Sequence, residues 1–325
     1  LGSGLVLSLS LSPDSLSLSL LTRNSRTQKS YLSRTKHLFS KMTTAVSVST
    51  LPAPHPHFET TAPNSPQEMQ DDIVRYEQSL LKELKQNPTD LISLGGLANF
   101  LTNFPDRYQE SLGHFEKLVN EYYPQSEDSK LESHLILPLS TYLAIYASKV
   151  EGTKKDLAMS LLKRALSIHP TNPLAMGNYA CFLHNTCKKY KEAQEAYLSS
   201  LETHPDHASI HVKYANFLKS VKRDNEGAAK HFKKAVRLSP KNADVLSSFA
   251  VFLHANVSDV KNAEVMYQRA FESDPTHVNN LSNYGLFLSE MKGEFSTAEK
   301  MYLLAMEVDP NHGNSIYNYA VMLDR

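Results

Sequence analysis

Two cysteines and fourteen histidines carry the widest chemical repertoire in this 325-residue chain. Cys181 and Cys187 are too few for a disulfide scaffold and lack the Cys-x-x-Cys spacing of a redox pair, so they read as reduced thiols. His169, His204, His207, His277 and His312 stand beside prolines and read as turn and cap residues, too far apart to share a metal. Asp and Glu are spread over polar positions with no inward pair expected to couple for acid–base work. No glycine-rich phosphate loop and no nucleophile elbow occurs. The expectation is no catalytic residue, no metal and no cofactor, hence no enzyme. One aromatic row, Phe100, Phe182, Phe217, Phe252 and Phe287, allows two readings. It is a stacking platform for bases or, the reading preferred, packing between neighbouring elements. Lys plus Arg equal Asp plus Glu at 34 each, so charge argues for neither a nucleic-acid nor a membrane partner. No run approaches the ~20 apolar residues needed to span a bilayer.

The elements that must position these residues show themselves by repetition. Prolines recur at 170, 205, 240, 275 and 310, a period of 35 residues. Twelve residues before each stands Ala158, Ala193, Ala228, Ala263 or Ala298. Eight before stands a bulky residue: Leu162, Tyr197, Phe232, Tyr267 or Tyr302. Five before comes Ala165, Ser200, Ala235, Ala270 or Ala305. Offsets of four, three and seven put all three on one face of a helix. Small residues let a neighbouring helix come close, the bulky one fills the space between, and proline stops the helix. After each proline a second helical stripe follows, such as Met176, Tyr179, Ala180 and Leu183, or Leu281, Tyr284, Gly285 and Leu288. Each unit is therefore helix A, polar turn, helix B, proline.

With its small residue in helix A, its small–aromatic–small helix B and its closing Asp-Pro (Asp274-Pro275, Asp309-Pro310), the sequence resembles the tetratricopeptide repeat (TPR) family. The motifs NYACFL (178–183), KYANFL (213–218), SFAVFL (248–253) and NYGLFL (283–288) resemble most the plant-type members whose helix A reads NYA-FL. Met, His, Leu or Ile replaces the family's Trp. Period 35 exceeds the usual 34, with the extra residue expected in the inter-helix turn. The fold expected is an all-α solenoid, a right-handed superhelix of antiparallel helix pairs over 67–325, regular from about 155. Upstream, 68–87 reads as an amphipathic capping helix with Ile73, Tyr76, Leu80 and Leu84 inward. Residues 125–135 read as an insertion, and the next helix A falls around Leu135–Val150. The chain stops after a helix A, so a repeat truncated at the C-terminus is expected.

Residues 1–66 are expected to be a disordered leader. The Leu-Ser alternation of 1–20 reads as a translated CT-repeat leader running to Met42. That leader is the preferred reading; the six basic residues against one acid in 1–57 give an organelle transit peptide as its rival, and a signal-like segment is the third reading. The compartment is accordingly the cytoplasm or nucleus, or the chloroplast or mitochondrion if 1–57 is a transit peptide.

The resemblance implies a concave groove lined by helix A, mapping onto Cys181, His184, Asn216, Lys219, Val251, His254, Leu286 and Ser289. Co-chaperone members grip a terminal carboxylate with Lys and Asn on adjacent A helices. The matching positions here, Gly177, Cys181, Val212, Asn216, Ser247 and Val251, keep only Asn216, with Lys213 nearby, so that clamp is not expected. The function expected is a protein-interaction scaffold that holds a peptide or helix in the groove. Two alternatives stay open. One is an RNA-binding helical repeat, since pentatricopeptide repeats share period 35, although 151–325 holds 21 basic against 19 acidic residues. The other is the repeat part of an enzyme whose catalytic domain lies beyond Arg325.

Overall fold

The computed structural model describes residues 66–324, with side chains from Val74 onward except Pro105. The readings made for 1–57, for the leader up to 65 and for the Ile73 side chain lie outside the described residues. Fourteen α-helices follow one another, with no strand among the described residues: α1 Pro66–Gln86, α2 Leu91–Leu101, α3 Tyr108–Lys117, α4 Ser133–Val150, α5 Lys155–Ile168, α6 Pro173–Asn185, α7 Tyr190–Thr203, α8 Ala208–Phe217, α9 Asn225–Leu238, α10 Ala243–Phe252, α11 Val260–Ser273, α12 Val278–Phe287, α13 Phe295–Val308 and α14 Gly313–Leu323. From α2 onward the even-numbered members are A helices and the odd-numbered ones B helices. None of the described helices is long and apolar enough to cross a membrane.

Each helix B lays its alanines and central ring against helix A. Ala193, Tyr197 and Ser200 are wholly buried, and so are Ala228, Phe232 and Ala235 and their counterparts in the next two repeats. A methyl or hydroxymethyl group at these positions lets backbones approach, and each buried ring adds roughly 1.5–3 kcal/mol of burial free energy. The Phe row joins one repeat to the next. Phe252 of α10 lies 5.0 Å from Phe232 of the preceding helix B, and Phe287 lies 5.3 Å from Tyr267 in the same way. Consecutive A helices also pack along one another, whereas consecutive B helices have at most marginal contact. The array therefore curves, with A helices on the concave side and B helices on the outside.

The helix ends are set by local chemistry that recurs with the period. Two residues past each closing proline stands an N-cap: Asn172 and Asn242 accept backbone N–H groups through their side-chain oxygens, and His277 and His312 accept through a ring nitrogen. The turn between helix A and helix B has a recurring form. The end of helix A opens into a wider turn over Leu218–Lys222, Leu253–Val257 and Leu288–Lys292. There one carbonyl, that of Leu218, accepts from both Arg223 and Asp224. The next residue is left-handed in four successive repeats, Lys188, Arg223, Ser258 and Gly293, and only the last is glycine. An L-residue there costs on the order of 1 kcal/mol, offset by satisfying the helix-end carbonyl.

The less regular N-terminal half keeps the same architecture. Tyr76 and Leu80 of α1 are buried and Leu84 is half-buried against α2. Helix α4 starts at Ser133, two residues before the expected start. Gly95 of α2 is required by a close approach: a Cβ there would lie 2.2 Å from the Tyr142 ring of α4. The insertion is a short 3-10 turn, Gln125–Lys130, tied down by Arg164 of α5. At the other end, α14 is a helix A that packs against α13, with the Tyr319 ring 5.9 Å from Tyr302, and no described helix B follows it; Tyr317 is 69% exposed.

Candidate functional site

The residues expected from sequence to line a groove fall into two groups by burial. Cys181, Asn216, Lys219, Val251, His254 and Leu286 are half-buried, whereas His184 and Ser289 are buried at 8% and 6% exposure. His184 acts between repeats. Its Nε2–H donates to Ser220 Oγ at 3.2 Å while Ser220 donates to the Asn216 carbonyl. Its ring meets the Phe217 ring edge-on at 5.2 Å. His254 repeats the device against Phe287 at 5.6 Å, with the Tyr267 hydroxyl 3.2 Å from its Nδ1. Ser289 donates to the Leu286 carbonyl of its own helix. Burial lowers the pKa of both histidines, keeping them neutral packing groups.

At the clamp-like positions, Gly177 leaves space over which the Lys213 stem passes, its Cδ 3.6 Å from where a Cβ would stand. Cys181 and Cys187 are separate thiols. Among the described residues no group of three His, Cys, Asp or Glu side chains could hold a metal. The five rings of the Phe row are at most 2% exposed, so they pack the repeats together and present no face to a base.

A charged cluster that was not foreseen lies across the groove. Asp244, at the start of α10, accepts a 2.8 Å hydrogen bond from His277 Nε2–H, the cap residue of α12. Because Asn280 N–H donates to His277 Nδ1 at 3.1 Å, the proton of the neutral ring must sit on Nε2. This hydrogen bond holds the Asp244 carboxyl below the usual range, helped by the charges of His277, Lys213 of α8 and Lys149 at the end of α4. The Asp244 side chain is 76% exposed. Lys149 and Lys219 are pulled below the usual lysine range by desolvation, in Lys149 partly offset by Asp244. Near the α4 end an open cleft of ≈ 530 Å³ is lined by Ser148, Glu151, Gly152, Lys155, Asn185, Thr186 and Lys188.

A histidine pair sits inside the middle repeat. His211 Nε2–H donates to the Pro205 carbonyl at 2.9 Å, so its Nδ1 is the acceptor for His231 Nδ1–H at 2.8 Å. Desolvation pushes His231 down to about 4, with the charges of His211, Lys230 and Lys234 adding to it and Asp224 opposing. His114, His184, His207, His211 and His254 are lowered as well, each chiefly by burial. The unfolded chain therefore takes up protons below pH 6.5 that the folded chain resists, at His231 until about pH 4. His277 is shifted upward by Asp244 and works the other way, its contribution being lost as pH rises. Stability is expected to fall by about 2 kcal/mol between pH 7 and pH 5 in urea titrations, and His231→Gln should flatten part of that slope.

A curved stack of antiparallel helix pairs, with a concave face lined by A helices and no enclosed reaction chamber among the described residues, defines a helical-repeat solenoid. Part of the chain also matches a tetratricopeptide-repeat family model. Residues 186–245 match the family model described as TmcB, TPR repeats. No curated protein matches the chain. Solved structures of similar fold include the human IFIT1 dimer with m7Gppp-AAAA, at 16% identity over 76% of this chain and 57% of that one, TM-score 0.59. Yeast Tom70 is similar at 12% identity over 96% of this chain and 76% of that one, TM-score 0.55. A thermophilic TPR protein of Thermus thermophilus, TTC0263, is similar at 19% identity over 57% of this chain and 100% of that one, TM-score 0.50. At these identities the likeness is one of fold.

Proposed function

We propose that the chain is a non-catalytic interaction scaffold that holds an extended peptide or a partner helix in its concave groove. The observation that carries this reading is a division of labour along helix A. The Ala, Tyr and Phe stripes are consumed by packing, and a continuous strip of half-exposed side chains on consecutive A helices is left over: Cys181, Asn216, Lys219, Val251 and Leu286. Such a strip mixes hydrogen-bonding and apolar groups and suits an extended chain. The buried Phe row removes the stacking platform an RNA-reading groove would use. Two separate thiols suit a reducing compartment, the cytoplasm or nucleus.

The test is to pan the full chain against a displayed library of random peptides of about twelve residues, long enough to span several repeats. Peptides should be recovered that lose binding when Val251→Trp fills the strip and keep it when Leu198→Trp alters the outer face. Recovery of none, or binding indifferent to Val251→Trp, would remove the reading.

A further inference from the structure

We propose that Ser239 is a phosphorylation site for a proline-directed serine kinase, and that the phosphate is held by the Lys241 backbone N–H and the Arg269 guanidinium. The inference stands apart from the groove reading. It comes from laying the repeats over one another at the residue before each closing proline: His169, His204, Ser239, Asp274 and Asp309. Each of the last three caps the C-terminus of its helix B. Where that residue is acidic, its carboxylate holds the turn. Asp274 Oδ1 accepts from the Thr276 N–H at 3.0 Å, and Asp309 Oδ1 from the Asn311 N–H at 3.0 Å. The corresponding N–H after α9 is that of Lys241, and the residue in place of the acid is a serine.

The cation is in place as well. In the preceding turn Asp206, just past Pro205, pairs with Lys234 of α9 at 3.3 Å. One period further on, Arg269 of α11 stands where Lys234 stood, and its Nη2 donates to the Pro240 carbonyl at 2.9 Å. The turn it reaches, Ser239-Pro240-Lys241-Asn242, contains no acid. Ser239 is half-buried while Arg237, Pro240 and Lys241 are exposed, so the Ser-Pro dipeptide lies at the surface. A phosphoserine there brings a charge of about −1.5 to −2 and three acceptor oxygens. The α9 dipole opposes a negative charge at its C-terminus. Asp274 and Asp309 occupy that same place in their own repeats, so the fold accepts an anion whose oxygen receives the turn N–H, and pairing with a guanidinium strengthens the hold. The phosphate then ties the end of α9 to α11, consecutive B helices that otherwise have at most marginal contact. In the transfer, Ser239 Oγ forms a bond to the γ-phosphorus of a nucleoside triphosphate as the bond to the bridging oxygen breaks. The nucleoside diphosphate leaves with that electron pair, and the hydroxyl proton passes to the kinase's base.

The test incubates the full chain with a proline-directed serine kinase and magnesium ATP, and maps the phosphate by tandem mass spectrometry. It should fall on Ser239 and vanish from that peptide in Ser239→Ala. The other Ser-Pro dipeptides, at 12 and 65, lie outside the described residues and serve as internal references. Phosphoserine installed at 239 by codon suppression gives a uniform sample for the second half. Its melting midpoint should rise by about 2–4 °C. Its phosphorus NMR resonance should titrate at lower pH than in urea, because the guanidinium favours the dianion. Arg269→Gln should remove both effects and Arg269→Lys restore part of them, each variant compared with its own unmodified form. Absence of phosphate from Ser239, whether or not 12 and 65 are modified, overturns the site. A midpoint unchanged or lowered, or a titration indifferent to Arg269→Gln, overturns the bridge. Inorganic phosphate that raises the midpoint of the unmodified chain as far, and only with Arg269 present, would mean that the turn takes a free anion, which also overturns the assignment.

Discussion

Truncating Phe252 to Ala is expected to cost about 3–5 kcal/mol and to split the unfolding of the chain into two steps. The ring is wholly buried and lies between the Phe232 ring of the preceding helix B and Phe249 of its own helix. Its loss removes burial and leaves a cavity that a rigid helix pair can close only in part. The position adds a second effect. In a linear array each repeat touches only its neighbours, so stability is a sum of repeat terms and interface terms. Phe252 belongs to an interface term, and weakening it uncouples the repeats before α10 from those after. The chain has no Trp, so urea unfolding would be followed by far-UV circular dichroism and tyrosine fluorescence. A broadened or biphasic transition is expected for Phe252→Ala against one steeper transition for the parent. A sharp transition shifted by less than about 1 kcal/mol would mean that the ring is not the coupling element.

Replacing Asp128 by Ala is expected to destabilise the chain by about 3–5 kcal/mol, more than most surface carboxylates could account for. Arg164 of α5 is only 5% exposed, and its guanidinium donates to both Asp128 oxygens, with Nη2 2.7 Å from Oδ1 and Nε 3.0 Å from Oδ2. Nη2 also donates to the Tyr123 carbonyl. Removing the carboxylate leaves a buried cation with one carbonyl for company. It also frees the 125–130 turn that covers α5. Thermal melts of Asp128→Ala and of the double replacement Asp128→Leu with Arg164→Met separate the two causes. The double variant should recover much of the loss, because no charge is then left buried. Proteolysis should speed up within 125–132 in the single variant. If the single and double variants melt alike, the ion pair is not what holds the turn.

These two interactions also mark how far a reading of sequence reaches. The small–aromatic–small stripe of helix B, the NYA-FL stripe of helix A and the closing proline are local patterns repeated with one period. Their positions, the A–B pairing and the burial of the Phe row could all be read before any coordinate. Caps were legible for the same reason: a cap answers to its immediate neighbours, as His277 and His312 show. The form of the inter-helix turn, a widened end of helix A, was not legible, since composition does not distinguish a wide turn from a loop.

The candidate site was legible only as a list of positions. Sequence placed Cys181, Asn216, Lys219, Val251 and Leu286 on one helical strip, but it treated His184 and Ser289 as equal members of that strip. Packing against the next repeat withdraws both from solvent. Asp244 and His277 meet because consecutive A helices pack along one another, and Arg164 meets Asp128 because an insertion folds back over its own repeat. Periodicity settled each repeat and its contact with the next. Side-chain contacts between repeats, such as Asp244 with His277, were decided by how one helix pair sits on the next, which no single 35-residue unit contains.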